Sequence, residues 1–465
     1  MKTKFTKLFS ATIITALALT TMAAKAQTTS LTSDNTTVAP ATATTADTKP
    51  EVKAEAKEKK EAKAEITAPA KAAEDTSWKP QRRVWGYTFG DFYYNAHADA
   101  GNRGPETNYN GVPTYRNAFQ FRRIYLGYDY EITKKFKAEF LLASEPSANT
   151  GAATGTSIQN GDNLVDGKMA FWIKNANLRV RDLWEGTDFV IGEMSTPGFA
   201  LNEPGTNAPT SLSEATWAYR SIEKTITDFH KNNSYDVGAA LQGTFDPKTK
   251  NFGYVIMVGN NSQASLLSAA NANTGFYKIF YGDLWAKFLN QKLYVDLYAD
   301  NVRTSAATAA IPGASHGMFK IFASYSMKPI TLGVEAYTQS FTSGVINQST
   351  KLAENATAQG LSIWARGPIV KNLNYFARYD SYNPFTDYDA ATVYAPNTTY
   401  GNYTPLYKEK FYTAGLDYNP TKNVHFEPNF WLVDYTDQRA STTTGYVAPD
   451  HTLVFRFTFF YTFGK

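Results

Sequence analysis

Arginine recurs at alternate positions within apolar segments of this sequence. In the stretch NANLRV, Leu178 and Val180 share one face of a predicted strand and Arg179 lies on the other, because successive side chains point to opposite faces. A guanidinium can bind a carboxylate or phosphate at two points, and rings of positive charge along a pore favour anions. The same alternation predicts five inward, pore-lining arginines: Arg123, Arg179, Arg366, Arg378 and Arg456.

Carboxylates occupy the same polar faces as these arginines. Two interpretations follow for each arginine. In the first, the arginine's charge is available to an anion in the pore. In the second, the arginine pairs with a carboxylate and stabilises the wall. The sequence leaves both open, so anion selectivity is an expectation at this point. The carboxylates predicted to face inward are Asp129, Asp296, Asp300, Glu335 and Glu427.

A long connection, residues 195–234, carries a second group of charges in the stretch YRSIEKTITDFH. A connection of about 40 residues is usually functional. We expect this loop, the third long one, to fold inward and narrow a pore, and Arg220→Ala to lower anion preference without affecting assembly. The alternative is an extracellular cap or a contact with a neighbouring subunit. The predicted constriction residues are Arg220, Glu223, Lys224 and Asp228.

Catalytic and metal-binding motifs do not emerge from the spacing of the reactive residues. An enzyme needs a nucleophile and a base set close together. The histidines lie near no repeated Ser or Asp motif, and most of them fall in loops or at strand ends. No H-E-x-x-H, P-loop or dinucleotide motif occurs, and without cysteine there is no disulfide or thiol chemistry. We therefore predict no enzyme, no metal and no cofactor. The histidines are His97, His230, His316, His425 and His451.

The elements that must position these residues are sixteen alternating segments between Val84 and the C-terminus. Seven tight turns alternate with eight longer loops, one of them at 340–359. An even number of strands, with short turns at one end and long loops at the other, is typical of outer-membrane barrels. Aromatic residues at 15% suit the girdles of such a wall. We predict an all-β fold, a transmembrane antiparallel β-barrel of 16 strands.

The N-terminal part has a different character. A basic start, an apolar run and a small-residue cleavage site over residues 1–26 predict a signal peptide. Residues 27–80 are rich in Thr and Ala, then in Ala, Glu and Lys, which predicts a periplasmic linker, disordered or transiently helical. A small helical trimer stub is the alternative for this linker. The barrel would occupy 81–465, in the outer membrane of a Gram-negative bacterium.

Five stretches, in order along the chain, resemble the phosphate-selective porin O and P family in its branch from Bacteroidota. The resemblance implies a sixteen-stranded trimeric porin with an inward third loop, in which arginines and lysines conduct phosphate. No tight run of arginines here maps onto that phosphate ladder. The stretches are FGDFYY, FQFRRIYLGYDYEITKKFKAEFLLASEP, IGEMSTPGF, YRSIEKTITDFH and YDVGAALQGTF.

These observations favour an outer-membrane porin that gives passive diffusion to small hydrophilic solutes, with a preference for anions such as phosphate as the finer expectation. A structural or adhesive barrel with an occluded lumen is the alternative, and a barrel enzyme is the second. The expected partners are outer-membrane lipid, the solutes, two further copies in a homotrimer, and the barrel-assembly machinery. Lysine and arginine form no basic stripe, so we expect no nucleic-acid partner.

Overall fold

Sixteen long antiparallel strands close into a barrel, which confirms the predicted fold class. A seventeenth strand has three residues and belongs to a loop. The computed structural model describes residues 78–101, 103, 112–144, 171–198, 219, 221–231, 234–261, 277–305, 313–397, 400 and 403–464. The predicted signal peptide and nearly all of the predicted linker lie outside these residues.

The strands follow one another around the wall in chain order. In the described part of the connection between β5 and β6 there is one short helix, α1 (Ile226–Lys231). No helix in the described ranges is long and apolar enough to cross a membrane. The strands are β1 (Arg82–His97), β2 (Asn117–Glu131), β3 (Phe136–Ser144), β4 (Trp172–Trp184), β5 (Thr187–Ser195), β6 (Tyr235–Thr244), β7 (Phe252–Gly259), β8 (Ile279–Phe288), β9 (Leu293–Arg303), β10 (Ser315–Met327), β11 (Ile330–Asn347), β12 (Ala353–Val370), β13 (Leu373–Asn383), β14 (Tyr394–Pro396), β15 (Tyr407–Thr421), β16 (Val424–Asp437) and β17 (Asp450–Phe463).

The barrel closes between its first and last strands. β1 pairs with β2 on one side and with β17 on the other, from Gly86 opposite Phe463 to His97 opposite Leu453. Closure pairs the backbone groups that an open sheet would leave free at its two edges. The wall therefore needs no further element to cover an edge.

The two faces of the wall differ as the alternation predicts. On β17, Phe455 is 51% exposed, whereas the next residue, Arg456, is 4% exposed. The same contrast recurs around the wall, where apolar side chains such as Phe280 and Ile363 are exposed on the outer face. An apolar surface this extensive is unfavourable in water and favourable in lipid. The outer face thus belongs in a bilayer.

The prediction of a long loop over residues 340–359 is wrong. β11 continues to Asn347 and β12 begins at Ala353, so the two strands form a long hairpin that turns at 348–352. A bulge between Phe341 and Val345 interrupts their pairing, and β14 pairs with β11 beyond it. The extension is polar and rich in small residues. Alternating apolar residues mark only the part of a strand that faces lipid, so the alternation does not predict this polar extension.

Inward aromatic rings lie flat against glycines of neighbouring strands. Trp85 is directly opposite Gly127 in the β1–β2 pair, and Trp364 is opposite Gly333 in the β11–β12 pair. A Cβ atom at either glycine would lie 2.2 Å from the tryptophan ring. Both positions therefore require glycine because the ring occupies the place of its side chain. These contacts fix large rings on the inner face.

Candidate functional site

The candidate site is the inner face of the barrel where it meets residues 219 and 221–231, which we call the inner segment. Ser221, Ile222 and Thr227 of this segment are fully buried. Side chains from β1, β2, β11, β13, β15, β16 and β17 surround the site, and most of these strands bond or pack directly against the segment. Contacts with strands from so many parts of the wall place the inner segment inside the barrel.

The C-terminal part of the inner segment is the helix α1, and its own side chains stabilise its start. The Thr225 hydroxyl accepts a hydrogen bond from the backbone N–H of Asp228 at 3.2 Å, the usual N-cap arrangement. The Asp228 carboxylate lies in the first turn, where the helix dipole favours negative charge, and accepts a bond from the Ser234 hydroxyl at 2.6 Å. Asp228, predicted at the constriction, thus serves the local helix.

Glu223 binds two arginines of β2. Its carboxylate lies 2.7 Å from Arg122 Nη2 and 3.4 Å from Arg123 Nε. Burial would raise the pKa of Glu223, but the neighbouring guanidiniums of Arg122 and Arg123 lower this pKa to about 2. The carboxylate is therefore ionised at neutral pH and forms a buried ion pair.

Arg122 was missed by the sequence reasoning. Strict alternation places only one of the two consecutive arginines inside. In the structure, Phe89 pairs with Arg123 and Gly90 pairs with Phe121, so Arg122 is the extra residue of a bulge. A bulge changes the direction of a side chain, and here both arginines reach Glu223. The polar pair RR within an apolar strand was the one signal in the sequence.

A second ion pair supports the inner segment from the closing seam of the barrel. Arg456 of β17 donates from Nη2 to both oxygens of the Asp91 carboxylate of β1, at 2.7 and 2.8 Å. The Asp91 carboxylate also accepts a bond from the Thr458 hydroxyl at 2.6 Å. Through Nη1, Arg456 donates to the carbonyl of Ser221 at 2.7 Å. One guanidinium thus links two strands and the inner segment.

The other end of the inner segment is held by β11 and β13. Arg378 donates to the carbonyl of Lys224 at 2.7 Å and pairs with Asp380 at 2.5 Å. The Thr227 hydroxyl donates to Glu335 at 2.5 Å. Lys224, predicted at the constriction, is bound through its backbone.

Two arginines predicted to line the pore lie away from these ion pairs. Arg179 pairs with Glu139 at 3.4 Å and Asp188 at 3.2 Å. Arg366 lies over the ring of Tyr219, 6.0 Å from its centre. Arg220 falls outside the described residues. Four of the five predicted arginines therefore have a carboxylate partner, the arrangement expected of residues that brace the wall.

Apolar contacts complete the attachment of the inner segment. The Phe229 ring packs against the rings of Phe411 and Trp431, with centres 5.8 and 6.1 Å away. Ile222 belongs to the same buried cluster as Phe229 and Trp431. The sequence predicts a polar interior for the whole barrel. At the level of the inner segment the interior is partly apolar, because the apolar side chains of the segment are buried against it.

Similar proteins were found only by structure. The chain matches no protein-family model and no curated protein, so the resemblance to the phosphate-selective O and P family is not confirmed. A solved anion-selective porin from Comamonas acidovorans aligns at 12% identity with a TM-score of 0.51, covering 83% of this chain and 100% of that one. This chain has the porin fold. The outer membrane channel DcaP of Acinetobacter baumannii agrees, at 9% identity and a TM-score of 0.50, over 83% of this chain and 97% of its own.

Proposed function

We propose that this protein is an outer-membrane porin through which small hydrophilic solutes diffuse passively, and that its narrowest level prefers anions such as phosphate. The chain is then a channel and carries out no catalysis. The observation that carries the proposal is the inner segment, attached to the inner face of a closed, lipid-facing wall by ion pairs and aromatic contacts. A pore narrowed in this way selects by the charges at the constriction.

One group of charges next to the inner segment carries an excess of positive charge, while the carboxylates of Glu335 and Glu427 bond to the segment elsewhere, at Thr227 and Ser221. The guanidiniums of Arg122, Arg123 and Arg456 meet two carboxylates, those of Asp91 and Glu223. Positive charge exceeds negative charge by one within this group. The Arg123 side chain is 14% exposed, against 4% for Arg122 and 0% for Arg456. It is the arginine of this group best placed to meet a solute.

Reversal potentials in planar bilayers test this proposal. Under a KCl gradient, the wild type should give the sign of an anion-preferring channel, and Arg123→Gln should move the potential towards zero. Arg82→Gln is the matched control, since Arg82 is exposed and lies over Tyr130 at the end of the wall with the short turns. Replacing chloride by phosphate then measures the finer preference. Cation preference in the wild type, or equal potentials for wild type and Arg123→Gln, contradicts the proposed selectivity.

The packing of Phe229 supports a second candidate, a structural or adhesive barrel with an occluded lumen. Apolar side chains that meet inside a barrel exclude water. A wild type that inserts into bilayers without conducting, together with a conducting Phe229→Ala variant, would favour this candidate over the porin.

The resemblance noted in the sequence adds the homotrimer to the porin proposal. Chemical crosslinking of the detergent-solubilised protein at increasing dilution tests it. A trimer band that persists on dilution supports this assembly, and a monomer at every concentration contradicts it.

A further inference from the structure

Two histidines and an aspartate meet at the loop end of the closing seam. His97 is the last residue of β1, and Asp450 and His451 are the first two residues of β17. The chain brings them together across 353 residues. The porin proposal uses none of the three.

A bulge in β1 aligns the two imidazoles. Asn95 pairs with Val454 and His97 pairs with Leu453, so Ala96 is the extra residue. Without it, His97 would share the inward face of Asn95. With it, His97 lies on the same face as Leu453 and, two residues back along β17, His451. The ring centres are 4.2 Å apart as a result.

The spacing of the donor atoms fits one metal ion. His97 Nε2 lies 2.8 Å from Asp450 Oδ1, and His451 Nδ1 lies 3.6 Å from the same oxygen. One donor atom from each residue lies within 4.8 Å of the others. Two ligands bound tetrahedrally at about 2.0–2.1 Å are separated by roughly 3.3 Å. The observed separations lie on both sides of that value, so small side-chain movements would bring the three donors onto an ion.

The surroundings hold the carboxylate and leave an approach open. Asp450 Oδ2 accepts a hydrogen bond from the backbone N–H of Ala100 at 2.9 Å, which orients the other oxygen towards the histidines. The side chains of His97 and His451 are each 41% exposed. Arg103 is the nearby cation, and Asp99 neutralises it at 2.5 Å.

We propose that His97, Asp450 and His451 bind a divalent transition-metal ion such as Zn²⁺ and thereby fasten the first strand to the last. Imidazole ligands select Zn²⁺ and its transition-metal neighbours over Mg²⁺ and Ca²⁺, which prefer oxygen. Three protein ligands leave a fourth position for water. Binding stabilises the folded barrel, because the unfolded chain does not hold the two strands together.

Isothermal titration of the untagged, detergent-solubilised protein with ZnCl₂ tests the site. We expect one ion per chain, at least tenfold weaker binding for His97→Ala and His451→Ala, and no heat with MgCl₂. His316→Ala is the matched control and should bind like the wild type. Heat-modifiable mobility on gels shows that each variant is folded.

Three results would overturn the proposal. These are a wild type that binds no Zn²⁺, His97→Ala and His451→Ala variants that bind as tightly as wild type, and binding that is lost in His425→Ala alone. The last would assign the ion to Asp417, His425 and Glu427, the other group in the described residues whose spacing allows a metal. Conductance plays no part in these measurements, so their outcome is independent of the porin proposal.

Discussion

The Asp91–Arg456 ion pair offers the sharpest test of how the inner face is stabilised. Both side chains are fully buried and share two hydrogen bonds of 2.7 and 2.8 Å. Asp91→Asn keeps the shape of the side chain and removes its charge. The buried Arg456 guanidinium then loses the carboxylate that it binds at two points, although the carbonyl of Ser221 still accepts one of its hydrogen bonds.

The expected cost follows from this geometry. Removing one member of a buried ion pair lowers the free energy of unfolding by about 3–5 kcal/mol. We expect the lower end, about 3 kcal/mol, because the carbonyl of Ser221 and the face of Trp431, 4.3 Å from the guanidinium, remain in place. The double variant Asp91→Asn with Arg456→Met removes the unpaired charge, so it should lose less stability than the two single variants together.

Equilibrium unfolding in urea, followed by tryptophan fluorescence in lipid vesicles, measures these free energies. The wild type, the two single variants and the double variant form a complete cycle, whose non-additivity gives the interaction between the two side chains. A change below about 0.5 kcal/mol for Asp91→Asn, or strict additivity in the cycle, would refute the claim that this pair is energetically coupled.

Three further predictions concern the inner segment and the wall. Phe229→Ala should raise single-channel conductance, because the truncated side chain leaves space next to Phe411 and Trp431 inside the barrel; unchanged conductance would contradict the claim that the packing of Phe229 narrows the lumen. Gly127→Ala should lower the free energy of unfolding by about 1–3 kcal/mol, since the new methyl group meets Trp85, and urea unfolding checks this. Burial lowers the pKa of His230 to about 3, with Lys224 and Arg378 acting in the same direction. Stability should therefore be full above about pH 6.5 and fall as pH decreases towards 3, and His230→Phe should remove this part of the pH dependence.

The wall was predictable from the sequence because lipid imposes a period of two on every strand that faces it. Arg179, Arg378 and Arg456 were placed on the correct face by that period alone. The period says nothing about which residues become partners across the lumen. The contact of Glu223 with β2 joins residues about a hundred positions apart. No local sequence pattern predicts a contact of this kind.

Two bulges also determine which face a side chain occupies. Each inserts one residue and reverses the alternation beyond it, so the faces of Arg122 and His97 could be read only from the strand register. The long hairpin of β11 and β12 escaped notice for another reason, since its outer part lacks the apolar face that marks a lipid-facing strand.

Because β1 pairs with β17, the barrel can close only when both strands are present. β17 has fourteen residues, and β1 needs them to complete its hydrogen bonds. A chain that stops before Asp450 would carry two unsatisfied edges, on β1 and β16, each able to join another copy. Contacts of such long sequence separation form slowly. Protection of the two edges until β1 and β17 pair is therefore a physical requirement of this topology.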